Sequence, residues 1–587
     1  MSQTRPMRLL AGAAGFCGAA LVAYVSGVAQ PQPAAACGCF APPDPAVPII
    51  QAGERILFAH KDGQVTAHIQ IQYSGKPGDF GWLLPLPSVP TDKTGKPGID
   101  VGVDELFSQL LGTTQPKYRL RRVYEMCGSG IDRSANSPLA AFDAGASGAE
   151  NAPAPKDSGP LVVQNTVGPY DYAILKADNK DAMFNWLTTN RYFVPSGTEG
   201  AVGPYIRPGA FFLALKLRSG LAAGDLQPVV LRYQSDLPMI PIILTSVAAT
   251  PNMGIQVWML GSGRAIPRNY YHTVVNDAQV NWFTAGQNYN DVIIKAVGEA
   301  EGKHAFVTEY AGSSTPMRNV LDRTGRFSNL TTLSSVKDPI GYVQQTTGMF
   351  TLNGQLTSIL SRYIPLPAAL AASGTTLAQY YQQIAFFLGQ DRTQNPNKYA
   401  DIASALASFD PAALTAELKT KIADPTMEAG GLFTTFPYLT RLYSTLSPED
   451  MNSDPVFSYN PGLDDYGNVH EATLTYHCAG FFSKTRYSDA TLETPSGFRM
   501  QYSVEDADSS VWNPISAPYS QQIQVLRETG SADVVTDNTD LIRGALGQGG
   551  CTQSGPAAAR GGSAAALGLL LGAAGLATVR RRRRSIG

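Results

Sequence analysis

Both ends of this chain are apolar, free of acids and arginine-bearing, and that decides the compartment in which the rest must fold. Residues 1–36 carry Arg5 and Arg8 and no Asp or Glu; an apolar run from Leu9 to Ala29 follows, broken by Gln30 to Pro33. Ala34, Ala35 and Ala36 then offer a small-residue cleavage site before Cys37, completing the order of a secretory signal peptide. A permanent N-terminal membrane helix, or lipid attachment at Cys37, is the alternative; a lipobox would place Leu where Ala34 stands. At the far end Ser563 to Val579 is an uncharged run of 17 residues, the lower limit for crossing a bilayer core of about 30 Å. Arg580, Arg581, Arg582, Arg583 and Arg584 come at once after it, a cluster that holds its side of a helix in the cytoplasm. With a signal in front, the body lies outside.

Cys551 stands upstream of that run, after Gly549 and Gly550. The order Gly-Cys, apolar helix, arginine cluster resembles the C-terminal sorting signals of myxobacterial surface proteins. The resemblance implies processing near Cys551 and transfer of the body to the cell surface. An ordinary single-pass tail anchor is the other reading, and both make the cell membrane a partner through the tail. Setting aside the two and six arginines of the ends turns the chain's net −2 into −10 for the body. So acidic a body argues against nucleic acid, whose phosphates are held by clustered Lys and Arg.

Four cysteines remain between the ends: Cys37, Cys39, Cys127 and Cys478. Outside the cytoplasm an even count favours disulfides, and four cysteines allow three pairings. A Cys37–Cys39 bridge closes a very tight ring, so both are expected to bond distant partners. Zinc is the alternative, but Cys37-Gly38-Cys39 lacks the usual spacer and no second close pair exists.

At 587 residues the chain exceeds the ~100–200 of one domain, so two or three folded units are expected. Arg55 to Lys61 and Gln64 to Tyr73 flank Asp62-Gly63, a pair suited to a type I′ hairpin turn. Val65, Ala67, Ile69, Ile71 and Tyr73 alternate with Thr66, His68, Gln70 and Gln72, which predicts one buried and one wet face. Phe80 to Pro87 reads as a short buried strand stopped by prolines. Further strands are expected at Tyr170 to Leu175, Ala210 to Leu217, Val229 to Tyr233, Ile240 to Val247, Ile255 to Leu260 and His304 to Tyr310. Helices are expected after a cap at Asp178, at Asp291 to Ala300, and at Leu356 to Ile364, Leu377 to Leu388, Tyr399 to Ala407 and Ala412 to Ile422. Residues 469–482 and 498–527 are strand-like.

The organisation is then a signal peptide (1–36), a strand-rich N-terminal part (37–127) and a flexible low-complexity insertion (128–160). Next come an α+β part (161–312), a helix-rich part (313–450) and a strand-rich C-terminal part (451–530), with a linker (531–562) and the sorting or transmembrane tail (563–587). The fold class is α+β: a strand-rich N-terminal half, then a helix-rich segment with returning strands.

Several strings along the chain form a pattern. They are Ala36-Cys37-Gly38-Cys39-Phe40, Glu54-Arg55-Ile56-Leu57-Phe58, Ile69-Gln70-Ile71-Gln72-Tyr73 and Gly81-Trp82-Leu83-Leu84-Pro85-Leu86-Pro87. Val167-Gly168-Pro169-Tyr170-Asp171, Phe306-Val307-Thr308-Glu309-Tyr310-Ala311-Gly312 and Leu439-Thr440-Arg441-Leu442-Tyr443-Ser444-Thr445-Leu446 come later. In this order, over roughly residues 36–480, the chain resembles the secreted bacterial family of domain of unknown function 2330. The resemblance implies export and a C-terminal membrane or sorting segment; it supplies no catalytic residue.

Motifs of common chemistry are absent from the sequence: Gly-x-Ser-x-Gly, the phosphate-binding Gly-x4-Gly-Lys-Ser/Thr and His-Glu-x-x-His. His470-Glu471 with His477 has the wrong spacing for a zinc helix, and in a strand residues seven apart face opposite ways. In the hairpin register His60 falls opposite Val65 and His68 opposite Leu57, so the two cannot share a metal. Glu309 is placed like an acid or base, with a solvated strand-end carboxylate as the simpler reading. Asp464 and Asp465 with Asn460 and Asn468 have calcium-type oxygens without the EF-hand order. No cofactor is implied. The 26 tyrosines offer amphipathic surface for a protein or glycan of the envelope. The function expected is a surface-anchored binding or structural module rather than an enzyme; an extracellular hydrolase whose site is assembled from distant residues is the alternative.

Overall fold

The computed structural model describes residues 53–71, 81–91, 95, 97–127, 160–190, 198–218, 226–321, 325–480 and 483–548. The signal segment with Ala36, Cys37 and Cys39, most of the 128–160 insertion, and the tail with Cys551 and Arg580 to Arg584 lie outside the described residues.

Asp62 and Gly63 take φ of 54° and 69°, the positive values of a type I′ turn. The turn joins β1 (Gly53–Lys61) to β2 (Gln64–Ile71), with His60 opposite Val65 and His68 opposite Leu57 as the sequence predicts. The wet face does not exist, however. His68 is 4% exposed, and Leu57 beside it is fully buried. The outer edge of β1 pairs in parallel with a strand nearly 200 residues away in the chain, which places the hairpin inside a wide sheet covered on both sides. Its polar alternates bond to a helix instead of water. Gln70 donates to Asp104 at 2.9 Å, at the start of helix Asp104–Thr114, and accepts from Arg55 at 3.2 Å.

Five further strands frame the middle of the molecule: β3 (Gly81–Leu86), β4 (Val229–Gln234), β5 (Met253–Gly261), β6 (Ala305–Ser313) and β7 (Tyr438–Leu446). Among the described residues the main sheet has ten strands. Its order is Asp533–Asp537, Ser520–Val525, Tyr271–Val275, β6, β7, β5, β1, β2, β4 and Ile99–Val101. On one face lies a four-stranded antiparallel sheet in which β3 is the outer strand. Ile56, Phe58 and Ala67 of the large sheet meet Trp82, Leu84 and Leu215 of the small one. On the other face, Leu57, Trp258 and Leu260 pack against Phe107, Leu356, Leu360, Leu418 and Phe433 of the helices between residues 104 and 435. Full burial of each such side chain is worth about 1.5–3 kcal/mol, so the strands are fixed from both sides. A second four-stranded sheet, Arg499–Tyr502, Tyr487–Glu493, Val469–Cys478 and Lys117–Tyr124, has its own core of Leu474, Tyr476 and Leu492 against Trp282. The class is α+β, with strands first, helices around 339–435 and strands again.

Several local expectations change. Ile240 to Val247 is no strand: Ile242–Thr245 forms a helical turn that continues as a 3-10 turn at Ser246–Ala248. Pro238 and Pro241 remove ladder donors there, and Pro241 stands directly before the turn. Helix Lys180–Thr189 is capped by Asn179, not Asp178, its side chain accepting from Ala182 N at 2.9 Å. Within 498–527 a helical turn, Val504–Asp508, interrupts the strands. The periodic segments Leu377 to Leu388 and Ala412 to Ile422 run into π-helical turns at Ala385–Asp391 and Lys419–Ala423. Strand Leu161–Val167 and helices Pro339–Met349 and Asp424–Thr435 are additional to the expected elements, although Asp338, capping Ile340 N and Gly341 N ahead of Pro339, is a helix-start signal. Cys127 and Cys478 bond each other, Cα atoms 5.5 Å apart, so neither is the distant partner expected for Cys37 or Cys39. Strands Lys117–Tyr124 and Val469–Cys478 run parallel with Tyr124 opposite Tyr476, which carries the two cysteines together.

Candidate functional site

A cavity of about 420 Å³ lies between the two stacked sheets. Its floor is Ile56 and Phe58 of β1, Ala67 and Ile69 of β2, and Leu231 and Tyr233 of β4; Trp82 to Leu86 of β3 form one wall. The gap arises from the mismatch in sheet width. β3 is the edge of the smaller sheet, as Pro85 within it fits, so no strand of that sheet continues over the large one. Coil from Ser235 to Pro241 closes the space instead. It is anchored by Ser235 N to Gly63 O at 2.9 Å and Ser235 Oγ to Leu237 O at 2.9 Å. Arg207, Asp236 and Arg268 also border the cavity and are exposed.

Three further polar side chains, Glu54, Thr245 and Tyr233, sit in the mostly apolar lining. Glu54 accepts from Thr245 Oγ1 at 3.0 Å, and both residues line the cavity. Tyr233 is 7% exposed, and its hydroxyl has no hydrogen-bond partner among the described residues. Burial pushes that phenol's pKa well up, so it is a neutral donor.

The residues singled out from sequence do not converge there. Glu309 is not a solvated carboxylate. Pairing between β6 and β7 shifts between Thr308 and Tyr310, and the extra residue of this bulge is Glu309, turned to the helix-covered face. Arg441 Nε donates to Glu309 Oε2 at 2.6 Å, with the two side chains 7% and 2% exposed. Tyr289 bonds the same carboxylate, and its own pKa is raised by burial and by Glu309. The Arg441 guanidinium lies 5.5 Å from the Trp258 ring centre, and Trp258 Nε1 donates to Thr114 at 3.0 Å. A carboxylate so enclosed has no access to a substrate; it ties β6 and β7 to the helix layer.

His60 stacks on Tyr459 at 6.1 Å, and His68 is on the opposite side of the sheet beneath the helices. His470 stacks on Tyr118 at 5.1 Å, Glu471 pairs with Arg121 at 3.2 Å, and His477 meets Glu125 and Thr491, each at 2.8 Å. Asn460 donates to Arg527 O and Gly530 O, Asn468 to Thr113 O and Gln115 O, and Asp465 accepts from Tyr438. These amides fasten loops. Among the described residues no three His, Cys, Asp or Glu side chains are grouped to hold a metal ion. Nor is any described helix long and apolar enough to cross a membrane. The tyrosine-rich surface is also absent: of the aromatic side chains described, Tyr124 and Phe386 alone are among the exposed large apolar ones. Tyr170, Tyr342, Tyr380, Tyr381, Tyr399 and Tyr476 are fully buried.

Sequence reading misses Tyr233, Trp82, Arg207 and Arg268. Only Trp82, between glycine and prolines, carries a local signal; Tyr233 and Arg268 gain meaning from pairings over more than 150 residues, and Arg207 only from its place at the cavity border. Residues 31–337 match the family described as uncharacterized protein conserved in bacteria (DUF2330). The match ends before Leu439 to Leu446, the last of the strings that resemble it. No curated protein and no solved structure matches the chain.

Removing one partner of the buried pair leaves an uncompensated charge. Glu309→Gln or Arg441→Met alone is expected to lower the unfolding free energy by about 3–5 kcal/mol in urea titrations, and the double variant to recover part of it. Single losses below about 1 kcal/mol would contradict the assignment. His68 and His272 are fully enclosed, and burial, helped by Arg232 and Arg264 respectively, lowers each pKa to about 3. The unfolded chain takes up these protons near pH ~6.5, so the stabilisation is complete above that pH and lost as pH falls towards 3. Each histidine contributes at most about 1.4 kcal/mol per pH unit. Between pH 6 and 4 the stability of His68→Gln should fall less steeply than that of the parent by about that amount; equal slopes would show a histidine that is charged when folded.

Proposed function

Because the chain belongs to the bacterial family of domain of unknown function 2330, we propose that it is an exported binding protein of the cell envelope whose intersheet cavity holds a small, mostly apolar ligand. The cavity carries this reading. Its volume of about 420 Å³ falls in the roughly 300–1,000 Å³ of small-molecule sites, and such sites are mostly apolar with a few placed polar groups. Export is supported by the signal-type start, and by the Cys127–Cys478 bond, a feature of oxidising compartments. Retention at the envelope rests on the apolar tail and its arginine cluster, with Cys551 as the processing point of a sorting signal. A hydrolase gains no support: Glu309, the carboxylate considered for such chemistry, is enclosed by Arg441 and Tyr289.

A neutral polarity-sensitive dye is expected to bind the purified body at one site. Ala67→Leu, which fills the floor, should weaken it about tenfold or more (~1.4 kcal/mol) without lowering the thermal midpoint. Unchanged dye affinity in a folded Ala67→Leu protein would remove the cavity from consideration. For the tail, Cys551→Ala is expected to give a longer, membrane-retained chain on immunoblots against body and tail epitopes. Equal mass and a retained tail in both forms would leave a plain transmembrane anchor.

A further inference from the structure

With the cavity taken as the ligand site proposed above, its lining also selects the ligand's chemistry. We propose that the ligand is a hydrocarbon body bearing one oxygen acceptor, received by the Tyr233 hydroxyl.

Tyr233 stands on β4 opposite Val65, next to the hairpin turn, with its ring on the cavity floor. It is 7% exposed, and its hydroxyl is without a partner among the described residues. No protein group takes its hydrogen bond and the oxygen is not sealed from solvent, so the donor is open to the cavity; phenylalanine would pack the same floor without offering it. Among the buried tyrosines Tyr170 donates to Gln227 O at 2.5 Å and Tyr381 to Ile364 O at 2.8 Å, and Tyr380, whose hydroxyl is also unpartnered, does not line this cavity. Tyr233 is thus a donor kept for something that enters.

The surroundings narrow the entrant. Of the two carboxylates that line the cavity, Glu54 lies at the far end of β1, six residues from His60, which pairs with Val65, about 20 Å along the sheet at strand rise; Asp236 is exposed at the border, three residues beyond Tyr233. Neither accepts a hydrogen bond from Tyr233. Between Glu54 and Tyr233 stand Ile56, Phe58, Ala67 and Ile69, which fit a chain of methylenes or a fused ring system and offer no hydrogen bond. The chemistry required is one accepting oxygen, as hydroxyl, carbonyl or carboxylate, on an otherwise apolar molecule. Arg207 has no ion pair among the described residues and Arg268 has a loose one, 3.8 Å from Glu528, so a carboxylate also finds positive charge at the border.

The test is competition against a neutral polarity-sensitive dye by octane, 1-octanol and octanoate, on the whole body and on Tyr233→Phe. The expected result is that octanol or octanoate displaces the dye at lower concentration than octane, and that Tyr233→Phe weakens the oxygen-bearing competitors about five- to tenfold while octane is unchanged. Octanoate ahead of octanol, with the lead lost in Arg207→Glu, assigns the acceptor as a carboxylate; equal affinities assign a neutral oxygen. Tyr233→Phe with the same ranking and the same affinities would overturn the inference yet leave an apolar site standing. Failure of all three to displace bound dye would overturn the site itself, and the inference with it.

Discussion

Burial of both faces of the strands at the centre of the large sheet is the constraint on which the rest of the structure depends. β1 can pair in parallel with β5 only if layers cover the sheet above and below, since its apolar residues point both ways. Ile56 and Phe58 look into the sheet–sheet core, and Leu57 and Ala59 into the helical one. The two layers differ in kind. Helices pack along the sheet's other face, assisted by the polar contacts of Gln70 with Asp104 and of Arg441 with Glu309. A rigid four-stranded sheet over a ten-stranded one leaves floor uncovered beyond its edge strand. The cavity is the consequence of that difference, and coil from Ser235 to Pro241 borders it rather than fills it.

Local chemistry makes the hairpin legible. Asp62-Gly63 needs positive φ, and once the turn is placed the register of eight residue pairs is set. The environment of those strands is not legible, because alternation of polar and apolar residues cannot tell water from a helix that brings its own donors and acceptors. His68 and Gln70 read as wet for that reason. Glu309 escapes sequence reading for a different cause: a bulge shifts one residue against its neighbours and turns a side chain that period-two counting puts elsewhere. Ile240 to Val247 has strand composition but prolines that deny it a ladder. The mixed class, strands then helices then strands, survives these local errors because it rests on long periodic segments.

The cavity could not be read in advance. Its lining comes from segments between residues 54 and 456, and Tyr233 looks like any strand tyrosine until its hydroxyl is traced. The buried charged and titratable groups serve the scaffold: Glu309 and Arg441 join layers, and His68 and His272 are held neutral by burial. In this molecule the buried ion pair and the buried histidines hold the fold, and the binding reading rests on an apolar space with few polar groups.

Native mass spectrometry of the protein purified from its own cells tests that reading most directly. The account predicts a single small-molecule adduct at one copy per chain, released by mild unfolding and missing from a folded Ala67→Leu form prepared in the same way. A bare mass in both preparations, under conditions that preserve the folded charge-state distribution, would contradict it.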